Sequence, residues 1–403
     1  MNVLFVSISV MPHLDSHSIS IDLIHEMTRQ GHNVYVLCAL DNNSTEKAVL
    51  TDECGCKVLR VKIGANKKAN IIVKGITTLR MSSFYISAIK KYYGDVKFDL
   101  VMYPTPPVTV YKTVKYIKKR DGAKAYLLLK DIFPQNAVDI GMMKKTGIKG
   151  FIYRSFRKTE KNLYAISDMI GCMSPANCEY VLKHNPEVPA EKVEVCPNSI
   201  EFRDMRISAA ERDAMREKYS LPLDKKIFVY GGNLGKPQGI GYLIECLKNA
   251  ESVEGAHMLV VGDGTEYKKL EEFFTTEKPK NATLMKKLPK EDYDRLVAAC
   301  DVGLIFLDKR FEIPNFPSRL LAYMQAGLPA ICATDVNSDV GKTCVDGGFG
   351  WWCESRDPED FVKLVNEALA ADIPAMGERA IEYLKENYTV EGSYEIIKKS
   401  IGL

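Results

Sequence analysis

At 403 residues, 46% apolar and 27% charged, the chain is too long for one ordinary core and reads as two soluble globular domains. No apolar run approaches the roughly 20 residues that span a bilayer, which excludes a helical integral membrane protein. The net charge of +3 conceals an asymmetry, since residues 1–200 carry +10 and the remainder −7. No recognition motif accompanies the basic half, which argues against a nucleic-acid partner.

The N-terminal segment, Met1 to Val10, is apolar but lacks a basic leader and a small-residue cleavage site. It reads as a first buried strand and not as a signal peptide. Apolar patterning places a strand over 3–8, a helix over 19–30 stopped by Gly31, and strands over 34–39 and 57–63. Strands over 100–103 and 125–129 follow, with a helix over 111–120 between them, then strands over 169–173 and 193–196. Strand–helix alternation of this kind predicts a parallel, doubly wound sheet. Eleven scattered cysteines, with Cys54-Gly55-Cys56 as the only close pair, read as reduced thiols of a cytosol and offer no metal site.

Three loops of this half carry chemistry. Met11-Pro12-His13-Leu14-Asp15-Ser16-His17-Ser18 lies between the first strand and the first helix. His13, Asp15 and His17 have no further metal ligand close in sequence, so they line an acceptor pocket or cap the helix. Lys130-Asp131-Ile132-Phe133-Pro134 sets a carboxylate at a strand end, where Asp131 acts as a base, orients a hydroxyl, or caps a turn. Residues 101–161 hold 14 basic and 4 acidic residues. Within 144–164, Lys144, Lys145, Lys149, Arg154, Arg157, Lys158 and Lys161 alternate with Phe151, Ile152, Tyr153 and Phe156. Such a segment either lies on an anionic membrane surface or packs its apolar side on its own core.

After Pro197-Asn198-Ser199 the pattern pauses and restarts. A helix over 209–219 leads into strands over 226–230, 257–261, 282–285, 301–306 and 330–332, with helices over 242–248, 267–274 and 291–299 between them. A last helix, about 376–403, follows once the second domain is complete. Gly231-Gly232-Asn233-Leu234-Gly235 follows a strand and permits close backbone approach to phosphates. It matches neither the dinucleotide fingerprint nor the P-loop. Val261-Gly262-Asp263-Gly264-Thr265-Glu266 is a second strand-to-helix turn, where Asp263 or Thr265 can cap the helix. Asn315-Phe316-Pro317-Ser318-Arg319 opens a short helix after a buried strand. Free N–H groups, a hydroxyl and a guanidinium there suit an anion.

Taken in order, these three loops and the terminal Tyr323-Met324-x-Ala326-Gly327-x-Pro329 resemble the C-terminal domain of family 4 (group 1) retaining glycosyltransferases of GT-B fold. Lys130-Asp131-Ile132-Phe133-Pro134-Gln135-Asn136 resembles the bacterial polysaccharide branch that includes the fucosamine transferases. Gly31-His32-x-Val34 and Pro197-Asn198-Ser199 sit where that family has Gly-His-x-Val and Pro-Asn-Gly.

The resemblance implies an α/β protein of two Rossmann-like domains facing a cleft: an acceptor domain over 1–202, a nucleotide-sugar domain over 203–385, and a helix over 386–403 crossing back to the first. It implies a nucleotide-diphosphate sugar as co-substrate, UDP ahead of GDP, with no other cofactor and no metal. Gly232, Asn233 and Gly235 are expected to face the diphosphate, and Ser318 and Arg319 to bind phosphate. Gly262 and Asp263 are expected near base and ribose, and Asp131 near the reacting sugar. Two loop glutamates of the family correspond to Asn315 and Ala322. Alanine cannot hold a ribose, so either Asp263 or Glu266 substitutes or donor affinity is weak. The implied activity is transfer to a polyprenyl-diphosphate-linked glycan in cell-surface polysaccharide synthesis, in the cytoplasm and peripheral to the inner face of the membrane. A sugar-nucleotide epimerase on the same fold and a catalytically silent partner subunit are the competing readings.

Overall fold

The chain divides into two units, Met1–Glu201 with Val390–Leu403, and Phe202–Thr389. The computed structural model describes residues 1–41, 43–63 and 71–402, without the side chains of 71–80 and 148–149. Lys149 of the basic segment therefore lies outside the described side chains.

The first unit runs β1 (Asn2–Val10), α1 (Ile19–Arg29), β2 (Asn33–Ala39), β3 (Ala48–Glu53), β4 (Cys56–Val61), α2 (Ile71–Tyr92), β5 (Leu100–Thr105), α3 (Tyr111–Asp121), β6 (Lys124–Leu129), α4 (Gln135–Asp139), α5 (Gly147–Ile166), β7 (Met169–Cys172), α6 (Pro175–His184) and β8 (Val193–Val195). Its strands are ordered β3-β4-β2-β1-β5-β6-β7-β8. From β4 to β8 the pairing is parallel, and the winding reverses between β1 and β5.

The alternation predicts a wholly parallel sheet, but β3 runs antiparallel to β4. The reason is the turn between them. Cys54 and Gly55 have φ of +47° and +77°, the signature of a two-residue loop whose twist matches its strands. The close cysteine pair is thus a hairpin turn, with Cys54 exposed and Cys56 buried.

The second unit runs α7 (Ala209–Lys218), β9 (Lys226–Asn233), α8 (Ile240–Asn249), β10 (Ala256–Asp263), α9 (Tyr267–Glu277), β11 (Ala282–Lys286), α10 (Lys290–Ala298), β12 (Val302–Phe306), α11 (Arg319–Gln325), β13 (Ala330–Thr334), α12 (Val340–Asp346), β14 (Gly350–Glu354), α13 (Pro358–Ala370) and α14 (Ile373–Asn387). The sheet order β11-β10-β9-β12-β13-β14 is that of a dinucleotide-type doubly wound fold, reversing between β9 and β12. All its pairings are parallel. Its core gathers Phe228, Tyr230, Leu243, Leu247, Val260, Leu304, Phe306 and Val365.

The periodicity predicts one helix over 376–403. The structure breaks it at Tyr388 and Thr389 into α14 and α15 (Val390–Ile401). α15 belongs to the first unit, where Val390, Tyr394, Ile397 and Ile401 join the core of Val3, Phe5, Ile24 and Val36. Val390 N–H donates to Ile200 O at 3.0 Å, and Ser400 donates to Glu194. Burying these four side chains, each worth about 1.5–3 kcal/mol, holds this helix on the first unit.

Candidate functional site

Ligands of doubly wound sheets bind beyond the strand carboxyl ends, where the strand order reverses. In the second unit that point lies between β9 and β12, which pair at only two positions, Phe228–Val302 and Val229–Gly303, and then part. The hydroxyl of buried Tyr323, from α11, fills the parting. It lies 3.1 Å from both Val229 O and Leu304 O and accepts from Gly231 N–H at 3.3 Å.

Above it, β9 ends in the glycine loop. Gly232 has φ of +111°, a conformation that a side chain strains. Tyr293 of α10 packs its ring on Gly231 so closely that a Cβ there would meet the hydroxyl at 1.8 Å. Beyond the strand, Gln238 Oε1 accepts from Gly235 N–H at 3.1 Å and from Asn233 Nδ2 at 3.3 Å. Gly262 and Asp263 pair in register with Gly232 and Asn233, so the second turn stands beside the first. Neither Asp263 nor Thr265 caps α9, whose N-cap Glu266 makes no capping bond. Exposed Asp263 accepts from Gly264 N–H at 2.8 Å, while Glu266 is paired with Lys269.

Arg319 completes the group. Its guanidinium carbon lies 4.3 Å from the centroid of the Tyr230 ring, and Nη2 is 4.0 Å from the Cβ position of Gly232. Nη1 is buried without a hydrogen-bond partner, and among the described residues no carboxylate pairs with this side chain. A guanidinium over an aromatic face is favourable, but a buried donor left unmade costs about 1–3 kcal/mol. The arrangement is that of a cation prepared for an anion. Ser318 is exposed and makes no side-chain cap, and α11 has seven residues. The anion reading therefore rests on the guanidinium rather than on a helix dipole. Asn315 donates its N–H to Ser338 Oγ at 2.9 Å and its side-chain amide to Ile313 O at 3.4 Å. Ala322 is half-buried and offers no polar atom.

In the first unit, Asp131 follows β6. Oδ2 accepts from Asn136 Nδ2 at 2.5 Å, while Oδ1 is buried without a partner. Burial pushes its carboxyl up to about 6, against the hydrogen bonds from Asn136 and Ile132 N–H. A carboxyl near 6 can take or give a proton at neutral pH. Lys130 goes elsewhere, its Nζ 3.4 Å from Pro197 O.

The loop after β1 is held by a pair that patterning does not reveal. Arg60 donates to Met11 O at 2.7 Å and to Glu53, and Glu53 accepts from Leu14 N–H at 3.1 Å. The hydrogen bonds from Arg60 draw Glu53 down to about 2. His13 and Asp15 on this loop are exposed. Ser18, not a histidine, caps α1, and His17 Nδ1 lies 3.1 Å from Asp22 and 3.6 Å from Glu201. Among the described residues no hydrogen bond or ion pair joins Asp131 to His13, Asp15 or His17.

A family model described as glycosyl transferases group 1 matches residues 211–387. The chain is 22% identical over 370 residues to Pseudomonas aeruginosa WbjE, named as a glycosyltransferase, covering 91% of this chain and 89% of that protein. It is 23% identical over 385 residues to Escherichia coli K12 WcaI, named as a colanic acid biosynthesis glycosyl transferase, covering 92% of each. The structure of Anabaena HepE in complex with UDP-glucose superposes with a TM-score of 0.72 at 14% identity, covering 100% of this chain and 99% of that one.

Proposed function

We infer that this chain, a nucleotide-sugar glycosyltransferase with a group 1 domain and the two doubly wound sheets of the GT-B fold, moves a hexose-type sugar from a UDP-type donor to a lipid-linked glycan in polysaccharide synthesis. The observation that carries this is Arg319, a guanidinium held on Tyr230 beside Gly232 with no carboxylate of its own among the described residues. A diphosphate supplies the missing charge. Complexes of HepE with UDP and with UDP-glucose support UDP as the nucleotide.

In this reading the backbone of Gly232, Asn233 and Gly235 approaches the diphosphate, with Ser318 as a further donor. Asp263 holds the ribose, because Ala322 cannot and Glu266 is engaged by Lys269. Attack comes from the face that the diphosphate leaves, the leaving oxygen helps to take the acceptor proton, and the sugar keeps its configuration. Arg319 then acts where charge develops, a contribution of several kcal/mol in comparable settings. Asp131, with a carboxyl near 6, orients or deprotonates a sugar hydroxyl. No cofactor beyond the donor is required.

The acceptor would be polyprenyl-diphosphate-linked, met at the inner face of the membrane. The support is α5 and the turn before it. Phe151 is 71% exposed and Met142 59%, and Ile152, Lys144, Lys145, Arg154 and Lys158 of the same segment are exposed as well. Exposed apolar residues interspersed with cations along one segment suit an anionic bilayer surface. Among the described residues no helix is long and apolar enough to cross a membrane.

The test is transfer of labelled sugar from UDP-sugars to a polyprenyl-diphosphate glycan, with the anomeric configuration of the product read by NMR. Transfer with retention is expected. Release of an epimerised nucleotide sugar in the absence of acceptor, or no turnover of any donor, would overturn the proposal.

A further inference from the structure

Residues 307–318 form a long irregular connection between β12 and α11, and they deliver Asn315, Ser318 and Arg319 to the site. A loop of this length places its functional groups only as well as its backbone is anchored. On one side Asp308 N–H donates to Pro237 O at 2.9 Å, which ties the loop to the glycine turn. On the other side the anchors come from the turn after β13. Asn337 Nδ2 donates to Phe311 O at 2.7 Å, and Ser338 Oγ accepts from Asn315 N–H at 2.9 Å.

Both anchors are gathered by one carboxylate. Asp335 is 1% exposed. Its Oδ1 accepts from the N–H groups of Asn337 and Ser338, each at 2.9 Å, and its Oδ2 accepts the Ser338 hydroxyl at 2.9 Å. Because the Ser338 proton is drawn to Oδ2, the lone pairs of Oγ are left for Asn315 N–H. Among the described residues no cation pairs with Asp335, and burial pushes its carboxyl up to about 6. A buried charge without an ion pair is costly, and an asparagine would make most of this turn without that cost.

We propose that Asp335 is a positioning residue for the donor site: through Asn337 and Ser338 it fixes residues 311–315, and with them the Ser318–Arg319 helix start, in the geometry that receives a nucleoside diphosphate. The inference rests on the donor-site reading above and goes beyond it, because neither Asp335 nor Ser338 reaches the ligand.

Ser338→Ala cuts the link to Asn315 and leaves the two backbone bonds to Asp335 intact. Asp335→Asn keeps the shape and removes the buried charge. UDP affinity by calorimetry and the thermal midpoint are measured for both. Ser338→Ala is expected to weaken UDP about five- to tenfold, the effect of one lost and one orphaned hydrogen bond. Asp335→Asn is expected to weaken UDP a few-fold while the thermal midpoint holds or rises, a split that a merely structural role does not produce. UDP affinity equal to wild type in both variants would overturn the inference and leave the donor-site reading standing. A wild type that binds no UDP would overturn both.

Discussion

Arg319 and Asp131 both stand beyond strand carboxyl ends in sheets of one winding order, yet their surroundings are opposite. Arg319 is a cation with an aromatic face beneath it and, among the described residues, no carboxylate beside it. Asp131 is a carboxylate with an amide beside it and, among the described residues, no cation bonded to it. Each is paired locally by a neutral group, so each keeps its charge available. The lesson is that a loop at a strand carboxyl end can be set for different ligands by one residue. A bare guanidinium calls for a permanent anion. A carboxyl raised to about 6 calls for a hydroxyl and a proton.

The largest expected effect is on the cation. Arg319→Ala should lower kcat/KM for the donor about 10²–10³-fold, with the thermal midpoint little changed. A loss below tenfold would remove the contrast between the two regions.

Asp131→Asn should follow, lowering kcat/KM about 100-fold. The pH profile sharpens the point. With its carboxyl near 6, wild-type kcat/KM should climb on raising the pH towards about 6 and then level, as the ionised form fills. The variant should lack that limb. Stability should run the other way. The folded-state value lies above the ordinary carboxylate range, so between pH 6 and about 4 the folded protein binds a proton that the unfolded chain does not, and this group stabilises the fold on acidification. Activity and stability moving together across that interval would contradict the assignment.

Phe151→Glu should reduce sedimentation with anionic vesicles about tenfold and leave activity on a soluble acceptor unchanged. Equal binding would remove α5 from the membrane reading. Tyr323→Phe should be the mildest, costing about 1 kcal/mol in denaturant unfolding through loss of the hydroxyl between Val229 and Leu304. A change in UDP affinity without that cost would place Tyr323 at the ligand instead of beneath it.

How much of this was readable in the sequence follows from locality. The parallel strands were visible as apolar runs, because strands buried on both faces show no alternation. β3 was not, since Thr51, Asp52 and Glu53 on an edge strand look like loop residues, and its turn depends on a positive φ at Cys54. The break at Tyr388 shows in the sequence only as a shift of the apolar face, from Ala380, Ile381 and Leu384 to Val390, Tyr394, Ile397 and Ile401. At the site, Pro317-Ser318-Arg319 and the glycine turn stood out as contiguous motifs. Their setting did not. Tyr230, Tyr293 and Arg319 are far apart in sequence, and the Asp335–Ser338 clamp on Asn315 spans more than 20 positions. Arg60 with Glu53 holds the loop after β1 from nearly 40 residues away. Only folding brings such partners together, so no pattern in the chain announces them.

The central claim is that Arg319 serves the diphosphate and not the rest of the nucleotide. Calorimetry with UDP and with uridine, on wild type and Arg319→Ala, tests it most directly. The account predicts that wild type binds UDP far more tightly than uridine and that Arg319→Ala erases most of that difference while uridine binding stays the same. A variant that keeps the full preference for UDP, or loses uridine as severely as UDP, would contradict it.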